Sequence, residues 1–112
     1  VSVRAEQSGK IAVRDQGAPK MYCLSESYPN PFNPTTEIKF DLPEGGNVLL
    51  TVYDVLGRRI GELGSGYREA GYHSATWNAS GIACGVYIVR LSVSNPGGKV
   101  VYVKANKLVL TK

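Results

Sequence analysis

Short runs in which apolar and polar residues alternate, separated by turns rich in glycine and proline, recur along the chain. The clearest run covers residues 36–42, where Ile38, Phe40 and Leu42 alternate with polar residues. Residues 86–93 show the same period of two. Because successive side chains of a strand point to opposite faces, such runs predict strands with one buried face. About seven short strands at this turn-punctuated spacing predict an all-β fold, an antiparallel β-sandwich.

Two stretches of this pattern are less regular. Residues 58–63 predict a short, charged strand that suits a sheet edge, and the glycines of residues 64–71 predict a loop after it. Residues 99–111 predict a last strand or a pair of strands.

The first twenty residues differ from the rest of the chain. Residues 1–14 contain two short alternating runs that are typical of a hairpin, and residues 15–20 are a linker by composition. We therefore divide the chain into residues 1–20, a strand pair and linker from the preceding region, and residues 21–112, the domain proper. The hairpin fits either a preceding domain or the same sheet. We expect the chain to be the C-terminal part of a larger exported protein.

Charge and hydropathy exclude two classes of partner. The net charge of +4 comes from scattered basic residues, and only Arg58 and Arg59 are adjacent. Nucleic-acid binding usually requires a dense basic face with stacking aromatic side chains, so we expect no nucleic acid partner. No apolar run approaches the roughly 18 residues that cross a bilayer, so we expect no transmembrane segment.

The two cysteines, Cys23 and Cys84, lie far apart in the sequence, which excludes the CxxC spacing of metal and redox motifs. In an exported protein they can form a disulfide, and otherwise they are two free thiols. The sequence leaves both alternatives open, because it does not give the Cα separation that a disulfide requires.

No group of residues has the pattern of a catalytic or metal site. His73 is the only histidine, and a Ser–His–acid triad needs a histidine held by an orienting acid. Zinc sites use three or four ligands, whereas Cys23, His73 and Cys84 are widely separated. Glu37 and Asp41 are the candidate pair of carboxylates for glycoside hydrolysis, but they lie on the solvent face of one predicted strand, as expected for a solvated polar face. We therefore predict no enzyme activity, no metal and no cofactor.

A segment rich in proline precedes the clearest strand. Three prolines within residues 29–34 exclude a helix, remove amide donors and push the preceding residues to extended geometry. We predict a stiff extended or multi-turn segment that Phe32 anchors. We also expect Gly57 to supply a positive φ in a turn and Tyr87 to bury its ring beside Trp77. The proline-rich segment described above consists of Pro29, Asn30, Pro31, Phe32, Asn33 and Pro34.

Five ordered segments carry a resemblance to a known family. They are residues 28–36 (YPNPFNPTT), 52–58 (VYDVLGR), 70–78 (AGYH leading into WN), 85–87 (GVY) and 107–112 (KLVLTK). From about residue 24 onward, the chain resembles the type A C-terminal sorting domain of the type IX secretion system. That group is similar to the immunoglobulin-like domain of flagellar hook-capping proteins, so the resemblance implies an immunoglobulin-like β-sandwich. Asn78 and Cys84 depart from the usual pattern, and no ligand role is carried over to the turn between them.

The resemblance implies a signal that directs export and cell-surface attachment of a passenger domain located N-terminal to it. The implied partners are an outer-membrane translocon and a sortase-like peptidase that cuts near residues 15–22, and the implied location is the outer-membrane surface or the extracellular space. We expect the final strand to dock by strand addition at its edge. The residues expected to serve sorting are Gly85, Val86, Tyr87, Lys107, Leu108, Val109, Leu110 and Lys112.

Two alternative functions are compatible with the same fold. An immunoglobulin-like binding or adhesion module for carbohydrate or protein would use exposed aromatic side chains, and the candidates are Tyr28, Tyr67, Tyr72 and Tyr102. A structural subunit would assemble by strand exchange between protomers. A coplanar row of exposed tyrosines would favour carbohydrate binding, and tandem copies in the full-length protein would favour adhesion or assembly.

Overall fold

Within the part of the chain that the structure describes, seven strands form two antiparallel sheets that enclose one core. The computed structural model describes residues 19–111. The strands are β1 (Cys23–Leu24), β2 (Thr35–Leu42), β3 (Gly46–Asp54), β4 (Arg59–Arg68), β5 (Gly71–Asn78), β6 (Gly85–Ser94) and β7 (Val100–Leu110). One sheet has the strand order β1–β2–β5 and the other has the order β4–β3–β6–β7. The predicted all-β, immunoglobulin-like sandwich of about seven strands is confirmed.

The core is built from the inward positions of the alternating strands. In β2 these positions are Ile38, Phe40 and Leu42, which are at most 4% exposed. Burying one such side chain contributes roughly 1.5–3 kcal/mol to folding, so the alternation of a strand decides which face it turns inward. The other buried apolar residues are Leu24, Phe32, Val48, Leu50, Val52, Trp77, Ala79, Tyr87, Val89, Leu91, Val93, Leu108 and Leu110.

Cross-strand pairs keep the inward faces in register. Ile38 of β2 lies opposite Ala75 of β5, and Leu50 of β3 lies opposite Leu91 of β6. A slip of one residue would turn every inward side chain of a strand toward solvent. The apolar pattern therefore specifies the pairing as well as the strands.

Strand β4 is longer than its sequence predicts. The predicted loop at residues 64–71 is wrong for most of its length, because β4 continues to Arg68. The register between β3 and β4 shifts after Leu50 and after Val52. Main-chain pairing does not require apolar side chains, and an irregular edge strand tolerates glycine. The predicted edge position of this charged strand is confirmed.

The end of the chain forms one continuous strand rather than a pair. Strand β7 is antiparallel to β6 from Val100 to Leu110, with one register shift after Val93. It is the outer strand of the four-stranded sheet. The predicted strand pair at residues 1–14 and the residue Lys112 lie outside the described residues. Within residues 19–111, no helix has the length and hydropathy needed to cross a membrane.

Candidate functional site

The proline segment (residues 29–34) lies against the final strand. The side chain of Asn30 donates from Nδ2 to the main-chain oxygen of Lys107 and accepts at Oδ1 from the main-chain nitrogen of Val109, both at 2.9 Å. The main-chain nitrogen of Phe32 then donates to the oxygen of Val109 at 2.9 Å. The nitrogen of Thr111 donates to the oxygen of Phe32 at 2.9 Å. The carboxamide of Asn30 thus takes the place of a peptide unit in a short parallel pairing with β7.

These contacts occupy the edge of β7 at its C-terminal end. The oxygen of Lys107, both main-chain groups of Val109 and the nitrogen of Thr111 already have partners. Another chain could add a strand over residues 107–111 only if the proline segment left this edge. The final strand is an edge strand of its sheet, as expected, and its docking by strand addition stays a prediction.

Phe32 anchors the proline segment in the core. Its side chain is 2% exposed, and its ring centre lies 5.5 Å from that of Trp77. The indole of Trp77 meets the ring of Tyr87 edge-on at 5.6 Å, which is the packing expected from the sequence. The hydroxyl of Tyr87 donates to the main-chain oxygen of Ala83. Aromatic contacts of this kind add about 0.5–1.5 kcal/mol beyond burial, and here they join the proline segment to β5 and β6.

Both ends of the proline segment are also fixed to the three-stranded sheet. The hydroxyl of Thr36 donates to the oxygen of Pro29 at 2.7 Å. The nitrogen of Ala79 donates to the oxygen of Pro34 at 2.8 Å. The peptide bonds that precede Pro29, Pro31 and Pro34 are cis. The segment therefore bridges the two sheets at the end of the sandwich where the chain finishes.

The residues expected to serve sorting divide into a surface group and a core group. The exposed or half-buried members are Gly85, Val86, Lys107 and Val109. The buried members are Tyr87, Leu108 and Leu110. A buried side chain supports the fold but presents no surface to a partner. Lys112 lies outside the described residues.

The turn between β3 and β4 is held by the carboxylate of Asp54. Its Oδ1 accepts hydrogen bonds from the main-chain nitrogens of Leu56 and Arg58 at 2.9 Å, and its Oδ2 accepts from Nε of Arg58 at 2.7 Å. Gly57 has a φ of 85°, a conformation that favours glycine. Val55 and Leu56 are 67% and 74% exposed at the tip of the turn. The sequence therefore builds a rigid turn with an apolar tip.

The same hydrogen bonds favour the ionised form of Asp54. The bond from the main-chain nitrogen of Arg58 is the main cause that holds the pKa of the Asp54 carboxyl below its ordinary value of 3.8. Partial burial acts in the opposite direction, while the side chain of Arg58 and the nitrogen of Leu56 add to the lowering. A carboxylate that accepts several hydrogen bonds is stabilised in its charged form.

A cleft of about 430 Å³, here called the end cleft, opens beside this turn. One wall is the turn itself, continued by Ile60, and the other wall is the loop that leads into β6. Gly85 enters that strand with a φ of 151°, and Val86 next to it is 40% exposed. A second cleft of about 340 Å³ shares Gly81 and Ile82 with it and reaches Leu110 at the end of β7. Both clefts thus lie at the end of the sandwich where the proline segment meets the final strand.

Cys23 and Cys84 are free and exposed in the structure. Cys23 lies in β1 of the three-stranded sheet, and Cys84 lies in the loop before β6 of the other sheet. Of the two alternatives that the sequence leaves open, the structure favours free thiols over a disulfide. Cys84 is one of the residues that line the end cleft.

His73 has structural contacts. Its Nε2 donates to the main-chain oxygen of Glu69 at 2.8 Å, and its ring stacks on Phe40 with the centres 5.3 Å apart. Within residues 19–111, no three histidine, cysteine or acidic side chains are grouped in a way that would hold a metal ion. His73 therefore acts as a half-buried strand residue beside the core.

The exposed tyrosines lie on separate elements. Tyr28 precedes β2, Tyr67 belongs to β4 and Tyr72 belongs to β5, with exposures of 81%, 58% and 71%. Tyr102 is half-buried and stacks on Tyr22 with the ring centres 5.3 Å apart. In the described part of the chain, no aromatic contact joins two of the exposed rings. No specific observation therefore favours a carbohydrate platform.

A family model described as the secretion system C-terminal sorting domain matches residues 26–104. The chain belongs to this family. The match runs from the residues before the proline segment into β7, so it covers most of the sandwich. The resemblance to the type IX C-terminal sorting domain is thereby confirmed. None of the curated proteins has a sequence that matches the sorting domain.

A solved structure shares the fold of the sorting domain. The sorting domain is similar to the structure of dimeric latent PorU from Porphyromonas gingivalis, with a TM-score of 0.55 and 22% sequence identity. The similarity covers 88% of this chain and 10% of the PorU chain, so the sorting domain spans a small part of that protein. CopC from Methylosinus trichosporium OB3b is more distant, with a TM-score of 0.46 and 17% identity over 80% of this chain and 93% of that chain.

Sequence reasoning assigns no surface role to the β3–β4 turn of the sorting domain. The sequence does contain a pattern that indicates such a role, because Val55 and Leu56 are apolar residues inside a turn, where polar residues are usual. Sequence reasoning also misses the pairing of Asn30 with Val109, since a contact across 79 positions leaves no periodic trace.

Proposed function

We propose that the sorting domain directs the export of a passenger protein through type IX secretion and its attachment to the cell surface, without catalysing a reaction. The observation that carries this proposal is the family match over residues 26–104, which coincides with the immunoglobulin-like sandwich. The proposed partners are the outer-membrane translocon, a sortase-like peptidase and the passenger domain that precedes this one. The proposed location is the outer-membrane surface or the extracellular space.

A folded recognition surface fits this function better than a linear signal. Asn30 of the proline segment and Val109 of β7 are 79 positions apart in the sequence, yet the two segments form one hydrogen-bonded unit. The exposed sorting candidates Val86 and Lys107 lie on the paired strands β6 and β7. A partner that reads this surface would recognise the domain regardless of which passenger precedes it.

The proposal is tested by fusing residues 1–112 to the C-terminus of a secreted reporter in a type IX-competent host. We expect the reporter on the cell surface, and we expect it in the periplasm of an isogenic strain that lacks the translocon. A fusion without residues 107–112 should stay in the periplasm with an intact reporter. Surface display that is equal with and without the sorting domain, or in the strain without the translocon, would contradict the proposal.

A further inference from the structure

We propose that the end cleft docks an extended segment of the secretion machinery that presents a bulky apolar side chain next to a carboxylate. This inference rests on the proposed sorting function and names the surface that the machinery recognises. It concerns the β3–β4 turn and the loop before β6, which sequence reasoning leaves without a surface role.

The walls of the end cleft carry apolar side chains that are exposed to solvent and do not form part of the core. Val55 and Leu56 are 67% and 74% exposed on one wall, and Ile60 beside them is 36% exposed. Val86 on the facing wall is 40% exposed. Single exposed apolar residues are ordinary, but neighbouring ones around a concave surface are typical of interaction sites. An extended partner that inserts a bulky apolar side chain between these walls and continues over the rim would remove all four from water.

The turn that carries the most exposed of these residues is rigid. The main-chain nitrogen of Asp54 donates to the main-chain oxygen of Arg58 at 2.9 Å, and the main-chain nitrogen of Gly57 donates to the main-chain oxygen of Asp54 at 3.0 Å. The carboxylate of Asp54 accepts three further hydrogen bonds within the turn. A surface that is already ordered loses little conformational entropy on binding, so this turn is suited to docking.

The polar groups at the rim indicate an acidic partner. The side chain of Asp54 is 12% exposed and its oxygens are engaged, so the rim presents no free acceptor from this residue. Arg58 is 73% exposed and uses only Nε on Asp54. In the described part of the chain its two terminal nitrogens have no partner. A guanidinium with free donors matches a carboxylate, which it can bind with two parallel hydrogen bonds.

The shape favours a protein segment over an enclosed small molecule. The volume of about 430 Å³ accommodates a side chain with its neighbouring main chain. Small-molecule sites of roughly 300–1,000 Å³ usually bury most of the ligand surface, whereas here Val55 and Leu56 stand at the rim. They would be covered only by a partner that extends beyond the cleft.

The test uses the reporter fusion with residues 1–112 and three variants. Leu56→Asp places a charge at the apolar rim, and Arg58→Gln removes the charge of the guanidinium. The matched control is Tyr72→Asp, an equally exposed position on β5 of the other sheet. We expect surface display to fall about tenfold with Leu56→Asp and about two- to fivefold with Arg58→Gln. The control should stay within about twofold of the wild type.

The outcomes separate this inference from the proposed function. A wild-type fusion that is not displayed contradicts the proposed function itself. If the wild type is displayed and Leu56→Asp is displayed equally, the end cleft is not the docking surface. If Leu56→Asp reduces display and Arg58→Gln does not, the inference that the partner presents a carboxylate to Arg58 is wrong. A purified domain that dimerises in sedimentation experiments, and loses the dimer with Leu56→Asp, would show that a second copy occupies the cleft instead.

A folding defect is excluded by measuring the thermal unfolding of each purified variant. Both rim positions are solvent-exposed, so we expect the melting temperatures to stay within a few degrees of the wild type. Val55→Asp provides a second variant at the same rim if Leu56→Asp unfolds. Normal display of a folded Val55→Asp variant would then overturn the inference.

Discussion

The side-chain oxygen of Asn30 accepts a hydrogen bond from the main-chain nitrogen of Val109, 79 positions later in the chain, at 2.9 Å. Together with the bond from Nδ2 to the main-chain oxygen of Lys107, this contact occupies the edge of the final strand at its C-terminal end. We predict that Asn30→Ala lowers the free energy of unfolding by about 1–2 kcal/mol, because each net hydrogen bond contributes roughly 0.5–1.5 kcal/mol. Urea unfolding followed by the fluorescence of Trp77, the only tryptophan, measures this change.

The matched control for this prediction is Asn33→Ala in the same segment. Asn33 is exposed, and within residues 19–111 its side chain forms no hydrogen bond, so its loss should cost less than about 0.5 kcal/mol. Amide hydrogen exchange gives a local check. The amide of Val109 should exchange faster in Asn30→Ala than in the wild type, and at the wild-type rate in Asn33→Ala. Equal stability of both variants would show that the carboxamide does not hold the edge.

The carboxylate of Asp54 makes the stability of the β3–β4 turn depend on pH. Its pKa is lowered in the folded state, mainly by the hydrogen bond from the nitrogen of Arg58. A lowered carboxyl pKa stabilises the fold fully above the unfolded value of 3.8, and this stabilisation is lost as pH falls through the folded value. We predict that the wild type exceeds Asp54→Asn in unfolding free energy at pH 7 and that the difference shrinks below about pH 4.

Urea unfolding of both proteins between pH 2 and pH 7 measures this difference. The variant Asp41→Asn, at a half-buried aspartate of β2 outside the turn, provides the control for a general change in net charge. A difference between wild type and Asp54→Asn that stays constant over the whole range would contradict the assignment, because it would not follow the protonation of this carboxyl.

Alternation predicts those parts of the fold in which one face of a strand packs on the core. The inward positions of β2 and β6 are read correctly because burial of Ile38 or Leu91 outweighs any local preference. The extent of β4 is missed because its glycines resemble a loop, while main-chain pairing with β3 decides the outcome. Local sequence carries no information on that pairing.

In the candidate site, too, the contacts that depend on apolar burial can be predicted from the sequence, and those that depend on polar pairing cannot. The packing of Trp77 on Tyr87 and the anchoring by Phe32 follow from apolar residues that need burial. The occupation of the final edge at residues 107–111 depends on a polar side chain that pairs with a distant main chain, and no periodicity encodes it. The sequence does not predict this contact, because edge pairing is set by tertiary structure.

Both cysteines should react as thiols in the native protein. Cys23 and Cys84 are exposed and unpaired, and they belong to different sheets. We predict that a maleimide reagent modifies both in the absence of denaturant and reductant, which intact-mass spectrometry reports as two added labels. Cys23→Ser and Cys84→Ser should each accept one label. A wild-type protein that takes up no label until a reductant is added would show that the two residues form a disulfide.

The final strand combines core and surface residues, so folding and recognition must be separated before any truncation is interpreted. Leu108 is fully buried, whereas the preceding Lys107 is exposed. Leu108→Ala should cost about 2–5 kcal/mol, a large part of the roughly 5–15 kcal/mol that stabilises a typical domain. We predict that this variant loses surface display at 37 °C and regains it at lower temperature in step with its folded fraction, measured by circular dichroism. Lys107→Ala should keep wild-type stability. Full display of an unfolded Leu108→Ala domain would show that the machinery reads the terminal sequence rather than the folded sandwich.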